Sequence, residues 1–304
     1  MSLTALYDVP APAKLNLFLH VIGKRADGFH LLESVFVLID WLDTLHFERR
    51  ADGRLARHDL EGALPQDDLC LRAARALQAE SATSLGVDIS VAKRLPSGAG
   101  MGGGSSDAAS TLLALNRLWG LGWSRARLAA LGLRLGADVP FFIGGRPAFV
   151  QGIGEKLTAL DLAPTCYTVV KPSASIATRD IFAHPGLVRD THPVILEGSP
   201  EEAGRSGLPP VRLQEFVHGV THGFGKNDLQ PPAEDRCPEV AQAARWLEAR
   251  YGNSRMTGSG SAVFARDDMV ESPLAAFAVE DLPPGWVVRR CRSLAEHPLV
   301  GWAD

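Results

Sequence analysis

The sequence contains few cysteines, and none of them stands near another. Four occur in 304 residues, without any C-x-x-C pair, which argues against a zinc ribbon or a disulfide-stapled scaffold. The sequence also lacks an uncharged apolar run of about 18 residues, which a membrane-spanning helix would need. The charges and prolines among the first residues are unlike a secretory signal peptide. These absences predict a soluble, reduced, cytoplasmic protein.

Neither sign of charge dominates the chain. Its 31 basic and 35 acidic residues give a net charge of -4, so no bulk field favours nucleic acid or an anionic membrane as a partner. The 46% hydrophobic content is that of an ordinary globular protein and excludes disorder. At roughly 100–200 residues per domain, the length suggests two domains. We expect them to span 1–162 and 163–304, because the apolar pattern is interrupted at 161–164.

The periodicity of apolar residues predicts strands and helices in a mixed order. Strands are predicted at 14–23, 31–39 (ending at Asp40), 87–93, 147–151, 166–171 and 262–266, and helices at 68–80, 105–119, 124–135 and 238–250. Because no strict β-α-β alternation is present, the pattern favours an α+β fold over a doubly wound parallel sheet. The segment 184–210, rich in proline and glycine, is predicted to be a long loop.

Glycine is abundant and clustered, above all at 98–104, between a predicted strand and a predicted helix. A bare backbone lets several N–H groups converge on one anion, and the helix N-terminus adds partial positive charge, so the segment predicts a phosphate cradle. It is no Walker A loop, because the closing Gly-Lys-[Ser/Thr] is missing. Residues 108–137 contain no acid for the ribose of a dinucleotide. A flexible linker is the alternative. Asp107 is either a helix cap or a group near metal or nucleotide.

Lys14 and Asp138 are the two charged residues that would suit phosphoryl transfer beside such a cradle. Only six lysines occur against 25 arginines, and Lys14 opens an apolar strand, while Asp138 follows a helix stop signal in a tight turn. A carboxylate held ionised by a cation can accept the proton of an attacking hydroxyl. Without that role, Lys14 is a strand-end lysine that extends to solvent, and Asp138 forms an Asx-turn.

Three further segments leave alternatives open. The turn 27–30 offers a ring and an imidazole to a flat ligand, or is a surface turn. The segment 256–261 is a second backbone anion site or a glycine turn. His218 and His222 have helical spacing, but Gly219 and Gly223 argue against a helix there, and we predict no metal site.

Taken together, these motifs resemble the GHMP kinase superfamily nearly from end to end. The resemblance is carried by Pro12–Leu17, Arg25–His30, Pro96–Ala109, Leu135–Phe142, Asn227–Leu229 and Thr257–Ala265. The lysine opening and the Asp-Gly-aromatic-His turn are similar to the branch that phosphorylates a diphosphocytidyl-methylerythritol in the non-mevalonate isoprenoid pathway. A mevalonate- or homoserine-type GHMP kinase is the alternative. A non-catalytic nucleotide-binding relative should have lost Lys14 or Asp138.

The resemblance implies a two-domain α+β fold with the active site in the cleft. The N-terminal domain would be ribosomal-protein-S5-domain-2-like and the C-terminal one α/β-plait-like. The γ-phosphoryl of ATP, with Mg²⁺, would pass to the 2-hydroxyl of the small-molecule substrate. The protein would be a monomer or a weak homodimer, without nucleic-acid or membrane partners.

The resemblance also assigns residues. Asp138 would be the base and Lys14 the cation that orients it. The residues implied for ATP are Asp68, Leu69, Lys93, Pro96, Gly98, Ala99, Gly100, Met101, Gly102, Gly103, Gly104, Ser105 and Ser106. Asn16 would contact the erythritol, while Phe29 and His30 would hold the cytosine with Phe182 stacked on its other face; Thr178, Gly258 and Ser259 complete the implied substrate site. The chain departs from the family at Phe29, where Tyr is usual, and at Asp68, where Asn is usual.

Overall fold

Two long apolar segments near the N-terminus form the longest strands of the computed structural model. It describes residues 3–62, 64–198, 209–267 and 282–304. Strands β1 (Ala5–Lys24) and β2 (His30–Arg50) pair antiparallel along most of their length. Both contain the strands predicted from the sequence and extend well beyond them.

The prediction that the second strand ends at Asp40 was wrong. Asp40 is exposed at the surface of β2, where a charged side chain costs little. Its carboxylate accepts a hydrogen bond from the backbone N–H of Arg292. The strand therefore continues past Asp40, because an exposed acid within it is compatible with a sheet.

The remaining elements largely follow the predicted order. The other strands are β3 (Leu55–Asp59), β4 (Gly86–Ala92), β5 (Ala148–Gly152), β6 (Lys156–Ala159), β7 (Cys166–Lys171), β8 (Arg255–Met256), β9 (Val263–Arg266) and β10 (Val287–Leu294). The helices are α1 (Leu69–Ser81), α2 (Gly103–Leu118), α3 (Arg125–Leu133), α4 (Val139–Gly144), α5 (Thr178–Phe182), α6 (Leu213–Thr221), α7 (Gln230–Arg236) and α8 (Pro238–Tyr251). None of the described helices has the length and apolarity needed to cross a membrane.

Strand β2 is the centre of the sheet. One of its edges pairs with β1, and the other pairs in turn with β5, β10 and β4. From β10 the sheet continues through β7 and β9 to β8, and β3 joins β4 in a parallel pair. This mixed sheet with packed helices confirms the α+β class. The boundary proposed at residues 162/163 falls between β6 and β7, and the β2–β10 contact carries the sheet across it.

The register of β1 against β2 shifts on both sides of the segment that contains Lys14. One shift lies between Pro12 and Ala13, and another lies between Asn16 and Leu19. Such irregularities change the direction in which a side chain leaves the strand. The segment 13–16 pairs with residues 36–39 of β2, but in a register that differs from that of the pairs on either side.

Helices α1 to α4 pack in one hydrophobic cluster with β1, β2 and β4. The sequence anticipated α1, α2 and α3, whose apolar residues recur at helical spacing. It did not anticipate α4, because six residues are too few to display a helical period. Asp138 lies in a turn, as predicted, and immediately precedes this helix.

Two other expectations need correction or restriction. Helix α6 includes His218 and Gly219, so the argument that glycine prevents a helix there was wrong; His222 ends the helix, and the two imidazole rings stack at 4.0 Å. Of the predicted loop 184–210, residues 199–208 lie outside the described residues. In the described part of this loop, the β-pairing consists of one isolated bridge, which joins Leu196 to Val211 just beyond the loop.

The packing of α2 predicts an unequal effect of two identical substitutions. Leu112 in α2 is 0% exposed, whereas Leu133 at the end of α3 is 38% exposed. Leu112→Ala removes buried methyl groups and leaves a cavity, so it should lower the free energy of unfolding by about 2–5 kcal/mol. Leu133→Ala should cost less than about 1 kcal/mol. Urea unfolding followed by circular dichroism measures both, and equal losses would contradict this description of the core.

Candidate active site

The glycine-rich loop runs from β4 to α2 and is packed rather than free. Gly98, Gly100 and Gly102 have φ values of +63°, +74° and +71°, in the left-handed region that favours glycine. A Cβ on Gly100 would lie 2.2 Å from the carbonyl oxygen of Thr257. The loop therefore needs glycine both for its turns and for its close approach to a neighbouring segment.

Backbone hydrogen bonds hold this loop from two sides. On one side, the N–H of Lys14 donates to the carbonyl of Met101 over 3.0 Å. On the other, the N–H groups of Ser261 and Ala262 donate to the carbonyls of Gly98 and Ala99. This bracing excludes the flexible-linker interpretation. The N–H groups of Ser261 and Ala262 are used in these hydrogen bonds. The segment 256–261 and the residue after it therefore support the glycine loop.

A first cavity of about 360 Å³ lies against the loop. Its lining includes most of the residues that the resemblance implies for ATP: Asp68, Leu69, Lys93, Pro96, Gly98, Ala99, Gly100, Met101, Gly102, Gly103 and Gly104. Ser105 and Ser106 are not part of this lining. Ser106 is fully buried, and its hydroxyl donates to the carbonyl of Pro12 over 2.7 Å. Its side chain thus fixes α2 to β1 and does not face the cavity.

Lys93, at the edge of the first cavity, is held between two carboxylates. Its ammonium group donates to Asp107 Oδ2 at 2.5 Å and to Asp43 Oδ2. Burial opposes its charge, but the two carboxylates raise the pKa of Lys93 overall. Burial also raises the pKa of Asp107, to about 7, although Lys93 opposes that shift. Asp107 therefore turns to a lysine at the base of the loop, and its Oδ1 atom is buried without a hydrogen-bond partner.

Asp68 lines the first cavity but is already engaged by the protein. Its carboxylate caps α1 by accepting from the backbone N–H of Leu71 at 3.1 Å, and it forms an ion pair with Arg57 at 2.9 Å. An aspartate is a common helix cap. These contacts give the residue a structural role that is independent of any nucleotide.

Lys14 and Asp138 are brought together as the sequence predicted. The Lys14 ammonium lies 3.6 Å from Asp138 Oδ2, and it is also 4.4 Å from the centre of the Phe36 ring. Lys14 is 3% exposed. Burial lowers the pKa of Lys14, and the Asp138 carboxylate opposes this shift. Lys14 is therefore a buried group facing a carboxylate, not a lysine that extends to solvent.

Asn16 positions the Lys14 ammonium. Its Oδ1 accepts hydrogen bonds from Lys14 Nζ and from the hydroxyl of Thr257, the latter at 3.2 Å. Its Nδ2 donates to Ser34 Oγ at 3.0 Å, and its backbone N–H donates to Thr257 Oγ1 at 3.0 Å. Asn16 is buried, so these contacts fix its orientation. The side chain connects β1, β2 and the 257–262 segment.

A second cavity of about 280 Å³ contains Lys14, Asn16 and Asp138. It shares Gly100 and Gly102 with the first cavity, so the two meet at the glycine loop. Thr178, Phe182, Gly258 and Ser259, which the resemblance implies for the substrate, also line it. The hydroxyls of Thr178 and Ser259 are hydrogen-bonded to each other at 2.7 Å.

His30 and Phe182 contact each other directly. Their rings stack with centroids 4.8 Å apart and planes inclined by 26°. The resemblance implies a base held by His30 and covered by Phe182, and two rings at this distance leave no room for a third between them. A base can stack on the face of Phe182 that His30 covers only if one of the two rings moves. Phe29 is 57% exposed and does not line either cavity.

Asp43, Ser34 and Thr257 are site residues whose roles the sequence did not reveal. Asp43 is 0% exposed and accepts from the backbone N–H groups of Arg94 and Leu95 in addition to Lys93. The sequence around Asp43 does indicate such a role, since an acid among the apolar residues of a long strand needs a buried partner. Ser34 and Thr257 carry no comparable signal, because both act through contacts distant in sequence.

Family models match both halves of the chain. The model described as GHMP kinases N terminal domain matches residues 68–146, which include the glycine loop and Asp138. The model described as GHMP kinases C terminal matches residues 214–273.

Individual proteins give a more specific comparison. The 4-diphosphocytidyl-2-C-methyl-D-erythritol kinase of Methylibium petroleiphilum is 60% identical over 304 residues, which are 100% of both chains. A crystal structure of a 4-(cytidine 5'-diphospho)-2C-methyl-D-erythritol kinase is 33% identical, with a TM-score of 0.69 over 87% of this chain and 90% of that one. A homoserine kinase from Cytophaga hutchinsonii has a TM-score of 0.62 over 97% and 95% of the chains but 15% identity, which supports the fold alone. The chain belongs to the GHMP kinases and, among them, to the 4-diphosphocytidyl-2-C-methyl-D-erythritol kinase family.

Proposed function

We propose that the protein transfers the γ-phosphoryl group of ATP to the 2-hydroxyl of 4-diphosphocytidyl-2-C-methyl-D-erythritol, giving the 2-phosphate and ADP. The observation that carries this proposal is the position of the Lys14–Asp138 pair. It lies in the second cavity, which shares Gly100 and Gly102 with the first. A phosphoryl donor in one cavity and an acceptor in the other would meet beside this pair.

The first cavity suits the nucleotide. Glycines at the start of α2 leave backbone N–H groups accessible, and the helix N-terminus favours the negative charge of phosphate. Lys93, kept protonated by its two carboxylates, stands at the edge of this cavity. We assign the phosphates to the loop 98–104 and the adenosine to the side that Leu69 and Lys93 line.

Mg²⁺ belongs to the same proposal as the ion that accompanies ATP. Carboxylate oxygens and substrate phosphates are the ligands this ion prefers. Asp107 Oδ1, buried in the lining of the first cavity without a hydrogen-bond partner, has the chemistry to hold it, directly or through water. The ion neutralises charge on the phosphates when bound.

The second cavity provides the groups that activate the acceptor. Asp138 accepts the proton as the acceptor hydroxyl forms its new bond to the γ-phosphorus, the bond to the leaving oxygen of ADP breaks, and the proton then passes to solvent. Lys14 stabilises the negative charge that spreads over the transferring group. Asn16 holds the lysine in place. Because the Lys14 side chain is buried, such charge stabilisation is stronger there than in solution.

The identity of the acceptor is tested by substrate-dependent formation of ADP. With ATP and Mg²⁺, we expect ADP when 4-diphosphocytidyl-2-C-methyl-D-erythritol is added, and only background with mevalonate or homoserine. A coupled spectrophotometric assay measures this, and CMP should compete with the acceptor. Turnover of mevalonate or homoserine instead would assign a different GHMP kinase activity. ATP binding without turnover of any acceptor would overturn the proposal.

The base is tested by Asp138→Asn. The amide keeps the size of the side chain but cannot take the proton, so kcat should fall at least ~10²-fold. Circular dichroism and urea unfolding should be unchanged. Asp161→Asn, an exposed carboxylate outside both cavities, is the matched control and should keep its activity. An Asp138→Asn variant with full kcat would remove this residue from the mechanism.

The cation is tested by Lys14→Met, which keeps the length of the side chain and removes the charge. Loss of transition-state stabilisation should lower kcat at least ~10²-fold. The folded state should persist, since a buried ammonium is replaced by an apolar group. Lys156→Met, at an exposed position of β6, serves as the control. Equal kcat values in the two variants would show that Lys14 has no part in the chemistry.

A further inference from the structure

Arg189 joins His30, which lines neither cavity, to Phe182, which lines the second. It lies in the segment that follows α5, and its guanidinium donates four hydrogen bonds. Nε donates to His30 Nε2 at 3.2 Å and Nη1 to the carbonyl of Leu187 at 3.0 Å. Nη2 donates to the carbonyls of Phe182 and His184, at 2.9 and 3.1 Å. One side chain thus fixes the imidazole of His30 and the backbone of Phe182.

The direction of the Arg189–His30 bond determines where the imidazole carries its proton. A guanidinium only donates and does not lose its proton in proteins, so His30 Nε2 must accept. A neutral imidazole with an accepting Nε2 carries its hydrogen on Nδ1. Burial lowers the pKa of His30, and the charges of Arg189 and Lys24 lower it further, so the ring is neutral at pH 7.

We propose that Arg189 is a specificity-determining residue, because it fixes His30 as a neutral ring whose Nδ1–H donates to the cytosine of the acceptor. This inference rests on the proposed function and assigns a determinant of base choice within the same site. Among the described residues, Nδ1 of His30 has no hydrogen-bond partner, so its hydrogen is available to a ligand.

The chemistry of the two pyrimidines explains why this arrangement would select between them. Cytosine and uracil both accept at O2, so an N–H donor distinguishes them only at N3, where cytosine presents a lone pair. Uracil carries a hydrogen on N3, which a second donor would oppose. If the proton of His30 were instead on Nε2, an accepting Nδ1 would favour the uracil edge. Arg189 excludes that form, because its own hydrogen would meet the hydrogen on Nε2.

The test compares binding of CMP and UMP to the intact protein by calorimetry. We expect the wild type to prefer CMP, and Arg189→Ala to reduce that preference about fivefold or more, since a fixed donor is lost. Arg189→Lys, which still donates one bond, should recover part of it. Arg179→Ala, an exposed arginine of α5, is the control and should keep the wild-type ratio.

Two further readouts separate this role from a merely structural one. Nitrogen NMR of the His30 ring should show the Nδ1–H form in the wild type and a mixture in Arg189→Ala. The double variant His30→Ala/Arg189→Ala should have the same CMP-to-UMP ratio as His30→Ala alone, because Arg189 acts through His30. In kinetics, the KM for the acceptor should rise in Arg189→Ala while the KM for ATP remains unchanged.

The outcomes distinguish the two levels of the proposal. An unchanged CMP-to-UMP ratio or an Nε2–H ring in the wild type would overturn the role of Arg189 and leave the kinase activity standing. Absence of any cytidine preference in the wild type, together with absence of acceptor-dependent ADP, would overturn the proposed function itself.

Discussion

The buried ammonium of Lys14 requires partners, because removing a cation from water costs several kcal/mol unless charge and hydrogen bonds replace the water. Asn16 and Asp138 supply these partners, and the face of Phe36 adds a weaker attraction. Asn16 can serve only because Ser34 and Thr257 hold its own polar atoms. The contacts around this one charged group thus link β1, β2, the residue that precedes α4, and a segment from the C-terminal half of the chain. The same contacts place Lys14 beside Asp138 in the second cavity, where the proposed phosphoryl transfer needs them.

The glycine loop is the second element on which the site depends, since both cavities border it. Its backbone approaches the 257–262 segment so closely that side chains at Gly100 or Gly258 would collide with carbonyl oxygens. At its start, Asp43 binds the backbone of residues 94 and 95 and holds Lys93. Since the ends of the loop are anchored, its N–H groups are placed before a ligand arrives. Preorganised donors of this kind stabilise developing charge more effectively than groups that must first reorient.

The sequence predicted what short-range patterns encode. Helix α2 and strand β7 follow from apolar periodicity, and the pairing of Lys14 with Asp138 was anticipated from chemistry and from the family resemblance. It could not predict what depends on distant contacts. No pattern in the residues near Asp40 indicates that the strand continues past this exposed acid. Helix α4 has only six residues, too few to show a helical period. The contact of Arg189 with His30 joins positions 159 residues apart, and no local pattern reports the resulting proton position.

The most direct test is a crystal structure of the protein with a non-hydrolysable ATP analogue and 4-diphosphocytidyl-2-C-methyl-D-erythritol bound together. We expect the analogue's phosphates against the loop 98–104 and the acceptor's 2-hydroxyl in the second cavity, within about 3 Å of an Asp138 carboxylate oxygen. The Lys14 ammonium should remain beside that carboxylate. Phosphates bound away from the loop, or an acceptor hydroxyl separated from Asp138 by other protein groups, would contradict the claim that Lys14 and Asp138 form the transfer centre.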